Sequence, residues 1–294
     1  MIDATEFEQH RSLLFGIAYR MLGSVADAED LVQDTWLRCS QVSEPVANPR
    51  GYLSRAVTNL ALNKLTSATA RREQYVGPWL PEPLVTVPDA TGDVEKAESV
   101  SLAMLVVLES LSPLERAVFV LKEVFGFSYR EIAEALDRTE VAVRQVGSRA
   151  KSHVQARRPR YETPAEVRRQ VTDEFLAACL GGDLNRMLEL LAPDVTAWSD
   201  GGGKVKAALR PLYGAENVAR FLAAVLAQPM ADPRVLAVDV NGRPGLLFTS
   251  AGRPDTVACV EVADGRITEV RFIRNPDKLR HLDHLDHLDH LDLT

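Results

Sequence analysis

Apolar residues recur three and four apart through residues 1–72. Leu13, Ile17, Met21 and Leu22 form one set, and Leu31, Val32, Thr35 and Trp36 another. Both predict helices, broken at Gly23-Ser24. Ser24 is placed to cap VADAEDLVQDTWLRCS, whose first turn is acidic. Glu44-Pro45 and Asn48-Pro49 mark a loop, after which GYLSRAVTNLALNKLTSATARRE resumes the helical period.

Residues 73–98 lose that period and are rich in proline and glycine. They read as a linker. Trp79, Leu80, Leu84, Val85 and Val87 are apolar, however, so the stretch is either a linker with a few sticky residues or a segment docked in a groove. Helical texture returns over 99–158, where Ser112-Pro113 supplies a cap and a first helical residue.

Beyond residue 165 the pattern changes again. Two helical segments (VRRQVTDEFLAACLGG and DLNRMLELLA) precede strand-like runs: VTAWS, KVKAALR, RVLAVDV, GLLFTS, TVACVEV and ITEVRFI. A helix, GAENVARFLAAVLAQ, interrupts them. Helices followed by mostly antiparallel strands predict an α+β domain. The tail HLDHLDHLDHLD has a three-residue period, which drifts around a helix of 3.6 residues per turn, so a frayed low-complexity tail is expected over 281–294.

The 294 residues are 46% hydrophobic and carry a net charge of −7. Real cores and more than one domain are expected. The acidic balance counts against a protein that simply coats nucleic acid. No apolar run is long enough to span a membrane, and the start, MIDATEFEQHR, lacks the apolar core of a secretory signal. Cys39, Cys179 and Cys259 are sparse and widely spaced. They build neither a disulfide framework nor a zinc site, which fits a reducing cytoplasm. Neither a metal nor a cofactor is expected.

Charge becomes informative locally. Residues 128–160 carry eight Lys/Arg against four Asp/Glu, the patch that phosphates require. Within 128–147 a short helix burying Ile132, Ala133 and Leu136 meets a turn at Asp137-Arg138. Thr139 caps a second helix that buries Val141, Val143 and Val146 and projects Glu140, Arg144, Gln145, Ser148, Arg149 and Lys151. This is a helix-turn-helix pattern. Upstream, ADAEDLVQDTWLR presents an acidic and apolar face suited to docking a protein. PRGYLSRAVTNLALNKLTSATARRE adds Tyr52, Asn59, Asn63, Lys64, Arg71 and Arg72, a mixture suited to unpaired bases.

DAEDLVQDTWLR, PRGYLSRAVTNLALNKL, a linker, and LSPLERAVFVLKEVFGFSYREIAEALDRTEVAVRQVGSRAKSHV together resemble a bacterial RNA polymerase sigma factor of the extracytoplasmic-function type, over residues 5–155. The resemblance implies two all-α sigma domains: region two at 1–73, and region four at 99–160, joined by the 74–98 linker. It places Asp30, Leu31, Val32, Gln33 and Trp36 on a helix that clasps core RNA polymerase. The 51–72 helix would read the minus-ten promoter element, and the helix from Thr139 the minus-thirty-five element, with Arg138 at its approach. Two features depart from the pattern. NKLTSATARRE is less basic than in this group. Gly147 interrupts the recognition helix at a cost of ~1 kcal/mol against alanine, either permitting close approach to DNA or simply tolerated.

The order of elements over 165–280 resembles a SnoaL-like cone. WLPEP (Trp79, Leu80, Pro81, Glu82, Pro83), DGGGK (Asp200, Gly201, Gly202, Gly203, Lys204) and NPDKL (Asn275, Pro276, Asp277, Lys278, Leu279) resemble the sigma-J-like group. That implies regulation through contacts between the sigma domains or linker and the chain's own C-terminal domain, without a membrane partner. Read by itself, DGGGK is an ordinary strand turn with a solvated Lys204. Asp200, Asp239 and Glu261, with Arg271 or Trp198, are the acid/base candidates if the cone is catalytic. No acid, base and nucleophile converge, and no enzyme is expected. A small ligand in the cone is the lesser expectation. The alternative to a sigma factor is a helix-turn-helix regulator carrying a ligand-sensing or enzymatic cone.

Overall fold

The computed structural model describes residues 2–42, 44–86, 100–157 and 163–287; the side chains of residues 67–73, 284, 286 and 287 lie outside this description. The chain forms two compact units. One comprises Met1–Gln74 and Met104–Arg158, the other Tyr75–Ala103 and Pro159–Thr294. The segment that joins the two helical halves of the first unit therefore belongs to the second.

The first unit is all helical. It contains α1 (Ala4–Glu8), α2 (Arg11–Leu22), α3 (Val25–Cys39), α4 (Pro49–Glu73), α5 (Leu102–Glu109), α6 (Pro113–Phe119), α7 (Tyr129–Leu136) and α8 (Glu140–Arg157). Ser24 caps α3 by accepting from the Asp27 N–H at 3.1 Å. Ser112 and Ser128 each form a reciprocal capping box, with Glu115 and Glu131. Leu14, Ile17, Met21, Leu31, Val32, Leu53, Val57 and Leu65 fill the core of the α1–α4 bundle. Buried Arg116 of α6 donates to the Met21 carbonyl at 2.6 Å and to Glu109 at 2.7 Å, which ties the two helical halves together.

The second unit is α+β. Helices α9 (Ala165–Leu180), α10 (Leu184–Leu190) and α11 (Ala215–Leu226) share one core with the sheet. Strands β1 (Val85–Thr86), β2 (Leu191–Asp200), β3 (Leu212–Tyr213), β4 (Arg234–Val240), β5 (Arg243–Ser250), β6 (Arg253–Ala263) and β7 (Arg266–Ile273) run in the order β1-β4-β5-β6-β7-β2-β3. The α+β arrangement expected from the sequence is present. All neighbours are antiparallel except β2 and β7. A short helix, α12 (Pro276–Leu279), leads into a 3₁₀ helix over Arg280–His287.

Two expectations fail here, at KVKAALR and at the start of the HLD repeat, and the linker takes one of its two open readings. KVKAALR is not a strand; it forms turns and extended loop, and the edge of the sheet is β3. The linker contributes its own strand, β1, which pairs with β4. The HLD repeat does not fray at its start. Leu282 and Leu285 are buried, at 1% and 8% exposure. A three-residue period drifts on an α-helix but is in phase with a 3₁₀ helix, which has three residues per turn, so these leucines share one face. Residues 288–294 lie outside the described residues.

Candidate functional site

The two faces of the β2 end serve different surroundings. Asp200 is fully buried and gathers four donors. Its Oδ1 accepts from the Tyr75 hydroxyl at 2.6 Å and the Gly202 N–H at 3.1 Å. Its Oδ2 accepts from the Leu80 N–H at 2.8 Å and Lys278 Nζ at 2.7 Å. Lys278 also donates to the Leu80 carbonyl. Its ammonium lies 4.3 Å from the centre of the Trp79 ring and 4.9 Å from that of Tyr75, close enough for cation–π attraction. Asn275 donates to the Tyr75 oxygen at 2.7 Å. Burial, with the adjoining Asp200 carboxylate, pushes the Tyr75 phenol well above its ordinary value, so it remains a hydrogen-bond donor.

The rest of the segment is held as firmly. Pro81 and Pro83 are buried, and Glu82 half-buried. The Pro83 carbonyl meets His281 Nε2 at 2.8 Å. Leu84 exchanges backbone and side-chain bonds with Asn241, at 2.7 and 3.1 Å. The docked-segment reading of the linker therefore holds for Tyr75–Thr86. DGGGK is more than a turn. Gly202 and Gly203 adopt φ of +59° and +71°, and a Cβ at either would collide with Asn275 or crowd Val76. Lys204 is paired with Asp277 at 2.5 Å rather than merely solvated. Pro276 begins α12, which aims Lys278 inward, and Leu279 is buried beneath it.

In the first unit, Asp137 adopts a left-handed φ of 52° between α7 and α8. Thr139 Oγ1 accepts the Ala142 N–H at 3.3 Å, as a cap should. Arg138, Thr139, Arg144, Gln145, Ser148, Arg149 and Lys151 are exposed and Glu140 half-buried. Arg144 pairs with Glu140 at 2.5 Å and lies over the Tyr129 ring, and Lys151 pairs with Glu123 at 3.0 Å. Exposed pairs of this kind are worth only about 0–1 kcal/mol, so phosphates or bases can displace them. Val143 and Val146 are buried as expected, whereas Val141 is 68% exposed; it sits in the first turn, on the outward face. Gly147 faces inward. A Cβ there would meet Tyr129 at 3.0 Å and Val118 at 3.3 Å, so the glycine serves helix packing.

On α3, Asp30 and Gln33 are exposed and Trp36 is half-buried against Phe7. Leu31 and Val32 are not on that face. They are buried in the bundle, at 2% and 0% exposure, and Leu37 is the exposed apolar residue instead. On α4, Asn63 is exposed and Tyr52 half-buried. Lys64 pairs with Asp27 at 2.8 Å and Asp30 at 3.7 Å. Asn59 donates to the Ala135 carbonyl of α7 at 3.4 Å, and Arg50 to that of Phe125 at 3.1 Å. The side chains of Arg71 and Arg72 lie outside the described residues.

Residues 7–71 match the Sigma-70 region 2 family and residues 101–154 the Sigma-70, region 4 family. The ECF RNA polymerase sigma factor SigJ of Mycobacterium tuberculosis is 39% identical over 293 residues, covering 94% of this chain and 93% of the relative. This chain belongs to the ECF RNA polymerase sigma factors. A probable ECF sigma factor of the same organism, SigI, is 31% identical over 274 residues, 92% of each chain. The crystal structure of M. tuberculosis SigJ superposes with a TM-score of 0.76 at 35% identity, covering 95% of this chain and 98% of that one. Membership sets aside the repressor alternative. This sigma factor directs promoter-specific initiation of transcription, and its α+β unit is a shared part of the relatives' length.

Sequence reasoning missed Tyr75, Asn241 and His281. An aromatic residue four positions before Trp79 was the available signal for the first. The other two act through tertiary proximity. Among the described residues of the sigma factor, no helix is long and apolar enough to cross a membrane.

Proposed function

We propose that this sigma factor engages core RNA polymerase through the exposed face of α3 and promoter DNA through α4 and α8, and that its C-terminal unit regulates both by holding the linker. Asp30, Gln33 and Trp36, with Leu37, form the core-binding face; Leu31 and Val32 act behind it by fixing the helix. Tyr52, Asn59 and Asn63 serve the melted minus-ten strand, joined by Lys64, Arg71 and Arg72. The outward residues of α8 read the minus-thirty-five duplex, and exposed Val141 is suited to a thymine methyl. The factor works without a catalytic step. None of Trp198, Asp200, Asp239, Glu261 and Arg271 lines the cavity of the C-terminal unit, and Asp200 is committed to the linker.

The observation that carries the regulatory reading is the buried Asp200–Lys278 clamp. It seizes the segment that connects region 2 to region 4. Two weak DNA-reading modules on one chain cooperate only when their connector gives the right span. Holding Tyr75–Thr86 against a sheet sets that span. In the same conformation, Asn59 and Arg50 are engaged with region 4, so α4 and α7 must part before α4 meets DNA.

Reconstituted transcription with purified core polymerase tests this. Trp79→Ala and Lys278→Met, which loosen the clamp, are expected to change transcription from a cognate promoter severalfold. Core affinity read separately distinguishes span from docking. Normal transcription by both variants and by a chain lacking 165–294 would refute the regulatory role.

A further inference from the structure

The C-terminal unit encloses a cavity of ≈ 770 Å³. Protein interiors are packed as densely as organic crystals, and voids larger than a water are few. A space of this size falls within the range of small-molecule sites, roughly 300–1,000 Å³. Phe175, Phe221, Leu222, Phe248, Val260 and Phe272 are part of its largely apolar wall. Cys179 and Cys259 also line it, and burial pushes their thiols up to about 12, so they stay neutral.

Part of the polar lining lies where β2 and β7 end. Ser199 lines the cavity, is buried, and its hydroxyl makes no hydrogen bond. Arg274 and Asp255 also line it, but they neutralise each other at 3.2 Å. Arg274 further donates to Thr256 at 3.1 Å and to the Lys206 carbonyl at 2.7 Å. Lys206 borders the cavity with its side chain exposed to solvent. The wall thus offers no uncompensated buried charge and one unsatisfied hydroxyl.

These wall residues adjoin the clamp. Ser199 precedes Asp200, and Arg274 precedes Asn275. The two strand ends are joined by the Arg274 N–H donating to the Asp200 carbonyl at 2.7 Å. In each pair, one residue lines the cavity and the next holds the linker.

We propose that the cavity binds a neutral, largely apolar, ring-sized molecule bearing one hydroxyl or carbonyl that bonds Ser199, and that its occupancy tightens the hold on the linker. Any effect on transcription rests on the regulatory reading above, whereas the site and its coupling do not.

The test uses the full chain and two fluorescent probes, 1-hydroxypyrene and its anionic analogue 1-pyrenecarboxylate. The neutral probe is expected to bind at least about tenfold more tightly, since the anion lacks a free cationic partner inside the cavity. Ser199→Ala should weaken 1-hydroxypyrene about fivefold to tenfold and leave pyrene itself unchanged. Leu222→Trp fills the cavity and should abolish binding; a thermal melt establishes its fold, and Ser199→Ala decides the matter if it melts early. Hydrogen exchange of the peptide spanning 76–86 should slow on adding 1-hydroxypyrene. No binding, tighter binding of the anion, or equal binding by both variants would overturn the site. Binding without slower exchange at 76–86 would overturn the coupling. Slower exchange with unaltered transcription would leave both standing and remove only the regulatory reading.

Discussion

Asp200 and Lys278 are not equivalent halves of their ion pair. Without Lys278, the carboxylate retains the Tyr75 hydroxyl and the N–H groups of Leu80 and Gly202. Without Asp200, a buried ammonium keeps the Leu80 carbonyl and two ring faces. Removing one member of a buried pair typically costs about 3–5 kcal/mol, and a lost hydrogen bond to a charged group about 1.5–3. Asp200→Ala should therefore destabilise the C-terminal unit by about 3–5 kcal/mol, and Lys278→Met by about 1.5–3 kcal/mol. Urea unfolding followed by tryptophan fluorescence measures both, and the reverse order would contradict this account. On α8, Arg144→Ala should cost about 1–3 kcal/mol of selective promoter binding if the arginine pairs with guanine. A loss that is uniform across sequences, measured by competition binding, would assign it to phosphate. Asp30→Arg should impair holoenzyme assembly in a pull-down with core polymerase while leaving the circular dichroism melt unchanged, because Asp30 is exposed and only loosely paired.

At the scale of elements, the helix starts were legible because caps are local. Ser24, Ser112-Pro113 and Thr139 each cap within a span of three residues, and Asp137 turns α7 into α8 by visiting a left-handed conformation that Asp tolerates. The Ser112 hydroxyl and N–H hold the Glu115 carboxyl below its ordinary range. A depressed carboxyl stabilises the fold above its unfolded value and loses that contribution as pH falls through the folded value. Ser112→Ala should thus cost about 0.5–2 kcal/mol near pH 7, with the difference from the parent shrinking below pH 4.5. Thermal melts across pH check this. Burial was less legible than helix position. Val141, Leu31 and Val32 satisfy a helical period, yet the first is exposed and the other two are inside. Periodicity marks an apolar face but not what covers it. Gly147→Val should destabilise by about 1–3 kcal/mol, since Tyr129 and Val118 leave no room for a branched Cβ. A stabilised variant in chemical denaturation would show that the helix merely tolerates the glycine. The start of the HLD repeat departs from expectation for a related reason: a three-residue period drifts on an α-helix, whereas Arg280–His287 take the 3₁₀ form.

At the scale of the molecule, the connector between two DNA-reading regions is a structural part of a third region. Its anchors come from residues far apart along the chain: Tyr75 and Leu80, Asp200, Asn241, and Asn275 to His281. Long-range closure of this kind is entropically costly and is repaid by buried contacts. WLPEP, DGGGK and NPDKL could be singled out one by one, and the apolar residues of the linker showed that it was no solvated tether. That all three meet on one carboxylate was not legible, because hydrogen-bond partnership depends on distances that a linear string does not encode.

From sequence alone came the helical first half, the helix-turn-helix, the α+β second half and membership in the extracytoplasmic-function sigma factors. Those rest on local periodicity, capping chemistry and motif order, each of which acts over a few residues. Tertiary structure decided which apolar residues face the core, that Gly147 packs against Tyr129 and Val118, and that the acidic Asp200 anchors the linker. It also opened a cavity behind Ser199, one residue from that anchor. In a strand, successive side chains point to opposite faces, so neighbours in sequence were divided between a ligand-sized space and a clamp only once the sheet had formed.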